Sequence, residues 1–206
     1  MTATLVGIAP FREVIALEKS QLRTFFRRQR NLRPRDGRES EQLERQWHLL
    51  RDTLGIASSP IAAFWPIAGE PDIRFILRSA AQVLLPVLRD EAGADLVGPA
   101  WAWAEASFES VERDPLAWHP AVGAVGPELL ANVGAIVVPA LAVDRSGTRL
   151  GQGGGWYDRA LTYRRAGVPI VAVVDVEAFL PAGSLPRQSH DVPVDAVITP
   201  QAHWVL

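Results

Sequence analysis

The stretch "AIVVPALAVDRSGTRLGQGGGWYDR", residues 135–159, joins an apolar run to a cluster of glycines and then to a helical pattern. Residues 135–144 are almost continuously apolar, as expected for one central strand that is covered on both faces. The glycine loop follows this run, and the pattern from Gly155 to Ala166 is helical. A buried strand, a loop and a helix in this order predict an α/β fold.

The remaining chain repeats this alternation of strands and helices. Strands are predicted at "IAAFWPI" (61–67), "VLLPVL" (83–88), "ADLVGPAWAWAEASF" (94–108, one strand or two), "PIVAVVD" (169–175) and "VDAVITP" (194–200), which is predicted to be the last. Pro71 is expected at the first position of a helix, and residues 111–127, rich in proline and glycine, are expected to form a loop. The alternation predicts a layered α/β fold with a largely parallel sheet.

Two amphipathic helices are predicted near the N-terminus, and both are expected to cover a sheet face. The first runs from Arg12 to Leu32, and a Pro-Arg-Asp-Gly turn at residues 34–37 separates it from the second. In the first helix one face carries Leu22, Phe25, Phe26 and Leu32, and another carries Lys19, Arg23, Arg27 and Arg30. In the second, the apolar positions are Leu43, Trp47, Leu50 and Leu54.

Composition restricts the class of protein. The 206 residues suit a single domain spanning 1–206, with helices 12–54 packed on the sheet, and 48% hydrophobic residues are ordinary for a globular chain. The absence of cysteine excludes disulfides and thiolate metal sites. No apolar run is long enough to cross a bilayer and the first residues do not resemble a signal peptide, so a cytoplasmic protein without membrane contact is expected.

Basic residues are concentrated between Arg12 and Arg51, where Lys19 is the only lysine of the whole chain. Such a segment can bind nucleic acid, bind an anionic small molecule, or simply form the solvated face of two helices. The lone lysine favours a phosphate, since its ammonium group acts as a compact point charge. The charge pattern leaves all three interpretations open.

The glycine loop has the features of an anion site. Its position after a strand places it at the carboxyl end of the sheet, where glycine N–H groups can approach a phosphate closely. It matches neither the Walker loop nor the dinucleotide fingerprint, because Trp156 stands where the latter has its third glycine. Arg149 and Arg159 bracket the loop, while Asp158 and Asp191 are candidate Mg²⁺ ligands. The alternatives are a mobile loop tip for the glycines, a helix-dipole charge for Asp158 and a turn residue for Asp191.

Residues 137–161, "VVPALAVDRSGTRLGQGGGWYDRAL", closely resemble the signature of 5-formyltetrahydrofolate cyclo-ligases, also called methenyltetrahydrofolate synthetases. Lys19 and Arg23 fit the family's N-terminal Lys-x-x-x-Arg helix. The segment "GEPDIRFIL" (69–77) resembles its Glu-x-Asp segment, and "LPRQSHDVPVDAVIT" (185–199) resembles its C-terminal His-Asp-x-x-x-Asp entry. The resemblance covers nearly the whole chain.

The resemblance implies a three-layer Rossmann-like fold, similar to sugar-phosphate isomerases and CoA transferases. It implies conversion of 5-formyltetrahydrofolate to 5,10-methenyltetrahydrofolate with ATP and Mg²⁺, by phosphorylation of the formyl oxygen. A monomer is expected.

By the same resemblance, Asp158 and Asp191 hold Mg²⁺, and Glu70 and Trp156 bind the folate. The residues implied in ATP binding are Lys19, Arg23, Arg149, Leu150, Gly151, Gln152, Gly153, Gly154, Gly155, Trp156 and Tyr157. Those implied in catalysis are Arg149, Tyr157 and Arg159.

Departures from the family pattern lie on the folate side. Trp156 replaces a tyrosine, Pro71 and Ile73 alter the pterin segment, and no glutamine stands at residues 176–179. Two alternatives therefore accompany the cyclo-ligase prediction. One is a divergent member of the family that uses ATP on a different small substrate, and the other is a nucleic-acid or regulatory binding module.

Overall fold

The computed structural model describes residues 18–34, 37–56, 58–105, 107–116, 118–120 and 123–206. The predicted start of the first helix at Arg12 and the centre of the turn at residues 34–37 lie outside the described residues, but the helix begins only at Lys19, after Glu18 in an extended conformation. The α-helices are α1 (Lys19–Leu32), α2 (Glu39–Thr53), α3 (Arg74–Ser79), α4 (Glu109–Arg113) and α5 (Trp156–Ala160). Short 3-10 helices cover Pro127–Asn132, Leu161–Tyr163 and Val176–Ala178.

Within the described ranges, ten strands form two sheets. They are β1 (Ile61–Ala62), β2 (Val83–Arg89), β3 (Asp95–Trp103), β4 (Ala135–Pro139), β5 (Ala142–Asp144), β6 (Arg149–Leu150), β7 (Ile170–Val173), β8 (Phe179–Leu180), β9 (Ala196–Ile198) and β10 (His203–Val205). The main sheet has the order β10-β9-β7-β4-β1-β2-β3, and the small one the order β6-β5-β8. Five neighbouring strands of the main sheet, from β9 to β2, are parallel, and the strands at its two edges are antiparallel. The predicted α/β fold with a largely parallel sheet is confirmed.

The strands of the main sheet are buried on both faces, which explains their continuous apolar sequence. In β4, Ile136 and Val138 pack into one core, while Ala135 and Val137 pack into the core on the opposite face. The first core also contains side chains from α1, α5 and the small sheet, and the second contains those of α2 and α3. The molecule therefore has three layers, helix on sheet on helix.

The two N-terminal helices lie on opposite faces of the sheet, where one shared face was expected. Leu22 and Phe26 of α1 are buried, but the other two predicted members of its apolar face are exposed, Phe25 by 40% and Leu32 by 68%. Arg33 follows α1 and joins the layers, because it donates to Glu39 of α2 at 2.7 Å and pairs with Asp175 after β7.

Four predictions about the bounds of elements were wrong. The run 135–144 forms two strands in different sheets, β4 and β5, so the glycine loop follows the short strand β6 and not the central one. Strand β10 follows the predicted last strand, and the end of α4 occupies the first residues of the predicted loop, 111–113. The third helix begins at Arg74 because the Asp72 carboxylate accepts the Arg74 N–H at 3.0 Å, which leaves Pro71 and Glu70 in the preceding turn.

Candidate active site

A cavity of about 460 Å³ lies at the carboxyl ends of β1 and β4, beside the glycine loop. Its volume falls within the range of small-molecule sites. Its polar side is lined by Lys19, Arg23, Arg30, Glu70, Arg149, Asp158, Gln188, His190, Asp191 and residues 151–155. Apolar residues line the other side, among them Phe64, Trp65, Leu85, Pro86, Val111, Leu116 and Leu141. One cavity thus offers a charged region next to an apolar one.

The basic face of α1 lies against the glycine loop. Residues four apart on a helix share a face, and this spacing relates Lys19, Arg23 and Arg27. Arg23 Nε donates to the Gly151 carbonyl at 3.1 Å, and Arg27 donates to the carbonyl and the side chain of Gln152 at 2.7 and 2.8 Å. These bonds hold the loop from outside through its carbonyls and leave Lys19 and Arg23 lining the cavity.

The loop needs glycine at its centre. Gly153 has φ +107°, a conformation that residues with a side chain rarely adopt, and a Cβ there would lie 3.2 Å from Arg23 Nε. Bare backbone therefore lets the loop and the Arg23 guanidinium approach each other. This arrangement of exposed backbone and a cation fits an anionic ligand such as a phosphate.

The hairpin before the loop is held by a buried carboxylate. Asp144 is fully buried at the end of β5, where Oδ1 accepts hydrogen bonds from Ser146 and from the Thr148 N–H. Its other oxygen accepts the Leu185 N–H at 3.1 Å. Asp144 thus fixes the turn that leads into β6 and the glycine loop.

Both candidate metal ligands are paired with candidate phosphate-binding cations. Asp158 accepts a hydrogen bond from Arg149 Nη2 at 2.8 Å, and Asp191 accepts one from Lys19 Nζ at 2.5 Å. Burial raises the pKa of Asp191, but the hydrogen bonds from Lys19 and from the Gln188 N–H outweigh it, so that this pKa lies below its ordinary value. Within the described ranges, no three acidic or histidine side chains group into a metal site, so the two carboxylates would need oxygen ligands from elsewhere.

Aromatic side chains form the floor beside the loop. The rings of Trp156 and Tyr157 meet edge to face at 4.9 Å, and Trp156 also contacts the fully buried Trp101 at 5.2 Å. Burial and the nearby charge of Glu70 raise the pKa of the Tyr157 hydroxyl, against the effect of Arg149. Tyr157 is therefore a neutral phenol that can donate a hydrogen bond, and it is unsuited to act as a base.

Glu70 points into the cavity from the turn before α3. Its Oε2 accepts the Ile67 N–H at 3.3 Å, and its Oε1 lies 3.5 Å from Nη1 of Arg30. Burial raises the pKa of Glu70, while the bond from Ile67 and the charge of Arg30 act in the opposite direction. Because α3 begins four residues later, Glu70 does not serve as a charge at the start of that helix.

The structure brings nearly all predicted site residues to this one cavity. The exception is Arg159, which is exposed, does not line the cavity, and donates to the Gly154 carbonyl at 3.1 Å. Sequence reasoning did not assign site roles to Arg27, Arg30 or Gln188. The helical spacing from Arg23 could have indicated the first two, whereas Gln188 carries no sequence signal because its position depends on the loop before β9.

Comparisons with known proteins agree with this geometry. The sequence model of the 5-formyltetrahydrofolate cyclo-ligase family matches residues 15–200. A 5-formyltetrahydrofolate cyclo-ligase of Mycolicibacterium smegmatis is 35% identical over 194 residues, covering 89% of this chain and 94% of that protein. The cyclo-ligase of Escherichia coli K12 is 27% identical over 157 residues, with 72% and 82% covered.

Solved structures support the fold. The 5,10-methenyltetrahydrofolate synthetase of Aquifex aeolicus aligns with a TM-score of 0.67 at 22% identity, covering 92% of this chain and 93% of the other. The synthetase of Mycoplasma pneumoniae aligns with a TM-score of 0.63 at 16% identity, covering 89% and 99%. None of the helices in the described part of the chain is both long and apolar enough to span a membrane. From the family match over most of its length and the similarity to the mycobacterial enzyme, this chain belongs to the 5-formyltetrahydrofolate cyclo-ligase family, a family of ligases.

Proposed function

We propose that this chain uses ATP to convert 5-formyltetrahydrofolate to 5,10-methenyltetrahydrofolate, with release of ADP and phosphate. The observation that carries the proposal is the meeting, in one cavity, of Lys19, Arg23 and the glycine loop with Glu70 and an apolar region. The two cations and the glycine loop suit a triphosphate, and Glu70 with the apolar region suits a flat heterocycle with N–H groups. Family membership favours this reaction over a nucleic-acid-binding module, as does the engagement of the basic face of α1 with the loop.

The chemistry needs an activated formyl group, because an amide oxygen is a poor leaving group. The formyl oxygen attacks the γ-phosphorus of ATP and ADP leaves. Nitrogen 10 then attacks the formyl carbon, loses its proton, and the carbon–oxygen bond breaks to release phosphate. The enzyme acts mainly by aligning the two substrates and neutralising the charge on the transferred phosphoryl group.

The side chains of the cavity suit these tasks. Lys19, Arg23 and the N–H groups of residues 151–155 would contact the phosphates, and Arg149 would stabilise the charge that develops during transfer. Tyr157, held neutral, would donate a hydrogen bond to a phosphate or formyl oxygen. Arg159 would act through the loop, since it holds the Gly154 carbonyl.

Glu70 and Trp156 would bind the folate. The Glu70 carboxylate would accept hydrogen bonds from the pterin amino and ring N–H groups. Trp156 lines the cavity next to the loop and offers an aromatic surface where nucleotide and folate meet.

A magnesium ion fits the acidic side chains that are present. Asp158 and Asp191 would hold it, and when bound it would supply positive charge to the phosphates. The pairs Arg149–Asp158 and Lys19–Asp191 would open as the cations turn to the phosphates. ATP without metal would leave both carboxylates unpaired, so we infer that the site takes the metal and the nucleotide together.

The second candidate is an ATP-dependent ligase reaction on another small substrate. It is favoured by Trp156, which lines the cavity, and by Pro71 and Ile73, which follow Glu70 in the chain, because all three depart from the family pattern.

A turnover assay separates the two candidates. Purified protein with 5-formyltetrahydrofolate, ATP and Mg²⁺ should produce the absorbance of methenyltetrahydrofolate together with ADP, and Asp158→Asn should slow this by at least about tenfold. Arg28→Ala is the matched control, since Arg28 is exposed on α1 and does not line the cavity. Tight ATP binding with no folate turnover would exclude the cyclo-ligase reaction and favour the other substrate.

A further inference from the structure

A buried ion pair lines the cavity at the end of the basic face of α1 that is farthest from Lys19. Arg30 follows Arg23 by seven residues, so it lies on the same face two turns further along. Its Nη1 lies 3.5 Å from Oε1 of Glu70, and only 11% and 8% of the two side chains are exposed. Both residues line the cavity. Neither the chemistry proposed above nor the sequence prediction assigns a role to Arg30.

The backbone around Glu70 is shaped to meet this arginine. Gly69 has φ +84°, and a Cβ there would lie 3.1 Å from Asn31 Oδ1 and 3.7 Å from Arg30 Nε. The missing side chain lets the turn at residues 67–70 pack directly on the end of α1. Glu70 N–H donates to the Ile67 carbonyl at 3.0 Å, while the Ile67 N–H donates to the Glu70 carboxylate at 3.3 Å. The turn is therefore closed on itself before any ligand enters.

The hydrogen-bonding capacity of the carboxylate leaves room for a ligand. A carboxylate has about four acceptor positions on its two oxygens. Ile67 uses one on Oε2 and Arg30 faces Oε1, so each oxygen keeps one position for a donor in the cavity. Two donors side by side match the amino group and the neighbouring ring N–H of a reduced pterin.

We propose that Arg30 is a positioning residue for the folate: it holds Glu70 as a carboxylate and fixes its two oxygens toward a paired N–H donor. This inference rests on the proposed function, because it takes the pterin as the ligand of Glu70. Arg30 acts through Glu70 and is not assigned any contact with the reacting atoms.

The charges around Glu70 explain why a cation is needed there. Burial raises the pKa of Glu70, and Arg30 opposes this shift from α1. Tyr157 of α5 faces Glu70 as a neutral phenol, and Arg149 of β6 acts on Tyr157. Without the positive charge of Arg30, Glu70 would bind its proton at a higher pH, and a protonated carboxyl group offers fewer acceptor positions.

The test compares Arg30→Met, Arg30→Lys and the control Arg28→Met. We measure the Kd of 5-formyltetrahydrofolate by quenching of tryptophan fluorescence without ATP, and the Kd of Mg-ATP separately. Arg30→Met should weaken folate binding by about tenfold or more and leave Mg-ATP binding within about twofold. This loss of folate affinity should grow as the pH is lowered, because Arg30→Met raises the pKa of Glu70 and the carboxylate then binds its proton at a higher pH than in the wild type. Arg30→Lys should recover part of the affinity, and Arg28→Met should resemble the wild type.

A second measurement needs no ligand. Carboxyl ¹³C NMR of glutamate-labelled protein, with Glu70→Gln used for assignment, should show that Arg30→Met raises the pKa of Glu70. If the wild type fails to bind 5-formyltetrahydrofolate, the proposed function fails, while this titration still tests the link between Arg30 and Glu70. The positioning role is overturned if Arg30→Met leaves both the titration of Glu70 and folate affinity unchanged, or if it weakens Mg-ATP and folate equally. If Arg30→Met does not fold, Arg30→Lys is tested by the same two measurements. The lysine side chain reaches less far than arginine, so this variant should still raise the folate Kd.

Discussion

Single residues determine whether the glycine loop can hold an anion, and Gly153 is the most constrained of them. Gly153→Ala would place a Cβ 3.2 Å from Arg23 Nε in a backbone conformation that alanine rarely adopts. We expect the Kd of Mg-ATP to rise by about tenfold or more, since strain of 1–3 kcal/mol is typical of such a position. Isothermal titration calorimetry measures this effect.

Gly154→Ala provides the comparison for that experiment. Gly154 does not have a positive φ, and a Cβ there would meet nothing within 4 Å. Its effect on ATP affinity should be clearly smaller than that of Gly153→Ala. Equal losses would mean that the loop needs only space, and that the special conformation of Gly153 is unimportant.

The Asp191 carboxylate should stabilise the fold in a way that depends on pH. Its pKa lies below the ordinary value of 3.8, so it contributes stability above that value and loses it as the pH falls through the folded pKa. Asp191→Asn should therefore lower the free energy of unfolding at pH 7 by about 1.5 kcal/mol or more, because its charge accepts a hydrogen bond from Lys19 in a pair of which only 16% and 12% of the side chains are exposed. Urea denaturation across pH measures the difference, which should vanish in strong acid. A loss of the same size at every pH would contradict the ionic origin.

At the scale of elements, the hairpin β5–β6 positions the glycine loop, and Asp144 should be its main support. Asp144→Ala leaves the Leu185 and Thr148 N–H groups without their buried acceptor, so we expect a loss of about 3 kcal/mol in the free energy of unfolding. Mg-ATP affinity should fall as well, because the loop loses its anchor. Urea denaturation and calorimetry measure the two effects. Asp95→Ala is the matched control, since Asp95 is exposed and pairs with Arg89 at the surface; a similar loss there would contradict the role given to Asp144.

The same hairpin shows where sequence reasoning reached its limit. The run 135–143 was apolar, and Pro139, a residue that often ends a strand, was the one compositional sign of the bend at Ala140 and Leu141 between β4 and β5, where both side chains stay buried. Strand β10 was missed because the turn before it carries no hairpin signal in the sequence. The turn before it is closed by Thr199, whose backbone and side chain bond Ala202, and a threonine before a proline does not indicate a hairpin.

The helix α1 was predicted better than its surroundings, and the reason is physical. Basic residues four apart lie on one face of a helix, and that face contacts the glycine loop. The apolar face was overestimated at Phe25 and Leu32, because amphipathic spacing does not show where the layer beneath a helix ends. Which sheet face each N-terminal helix covers is not encoded in the pattern of either helix.

At the scale of the whole molecule, the resemblance to the family predicted the meeting of distant segments that local patterns could not. Lys19 of α1 and Asp191 before β9 lie 172 positions apart and form one ion pair. Glu70 comes from a third part of the chain and faces Tyr157 of a fourth. Helical spacing and glycine content predicted the residue types of the site, while their convergence follows from the order of the parallel strands.

This convergence predicts strong coupling between metal and nucleotide. In wild type, ATP in the presence of EDTA should stabilise the fold little, because freeing Lys19 and Arg149 for the phosphates would leave Asp191 and Asp158 unpaired. Mg²⁺ alone should also stabilise the fold little, because drawing Asp191 and Asp158 to the metal would leave Lys19 and Arg149 without their partners. Together, at about 100 times their Kd, they should raise the free energy of unfolding by about 2.7 kcal/mol. Thermal and urea denaturation measure the stability of the protein alone, with ATP and EDTA, with Mg²⁺, and with ATP and Mg²⁺ together.

The Asp191→Asn variant makes the coupling testable from the opposite direction. Asparagine carries no charge to compete for Lys19, so metal-free ATP should bind this variant more tightly than it binds wild type, while the gain from adding Mg²⁺ should shrink. Lys19→Ala should lose affinity for ATP both with and without metal, which separates the loss of a phosphate contact from the release of a competing one. If metal-free ATP stabilises the wild type as well as Mg-ATP does, the ion pairs do not restrain the site, and Asp191 has no part in linking the metal to the nucleotide.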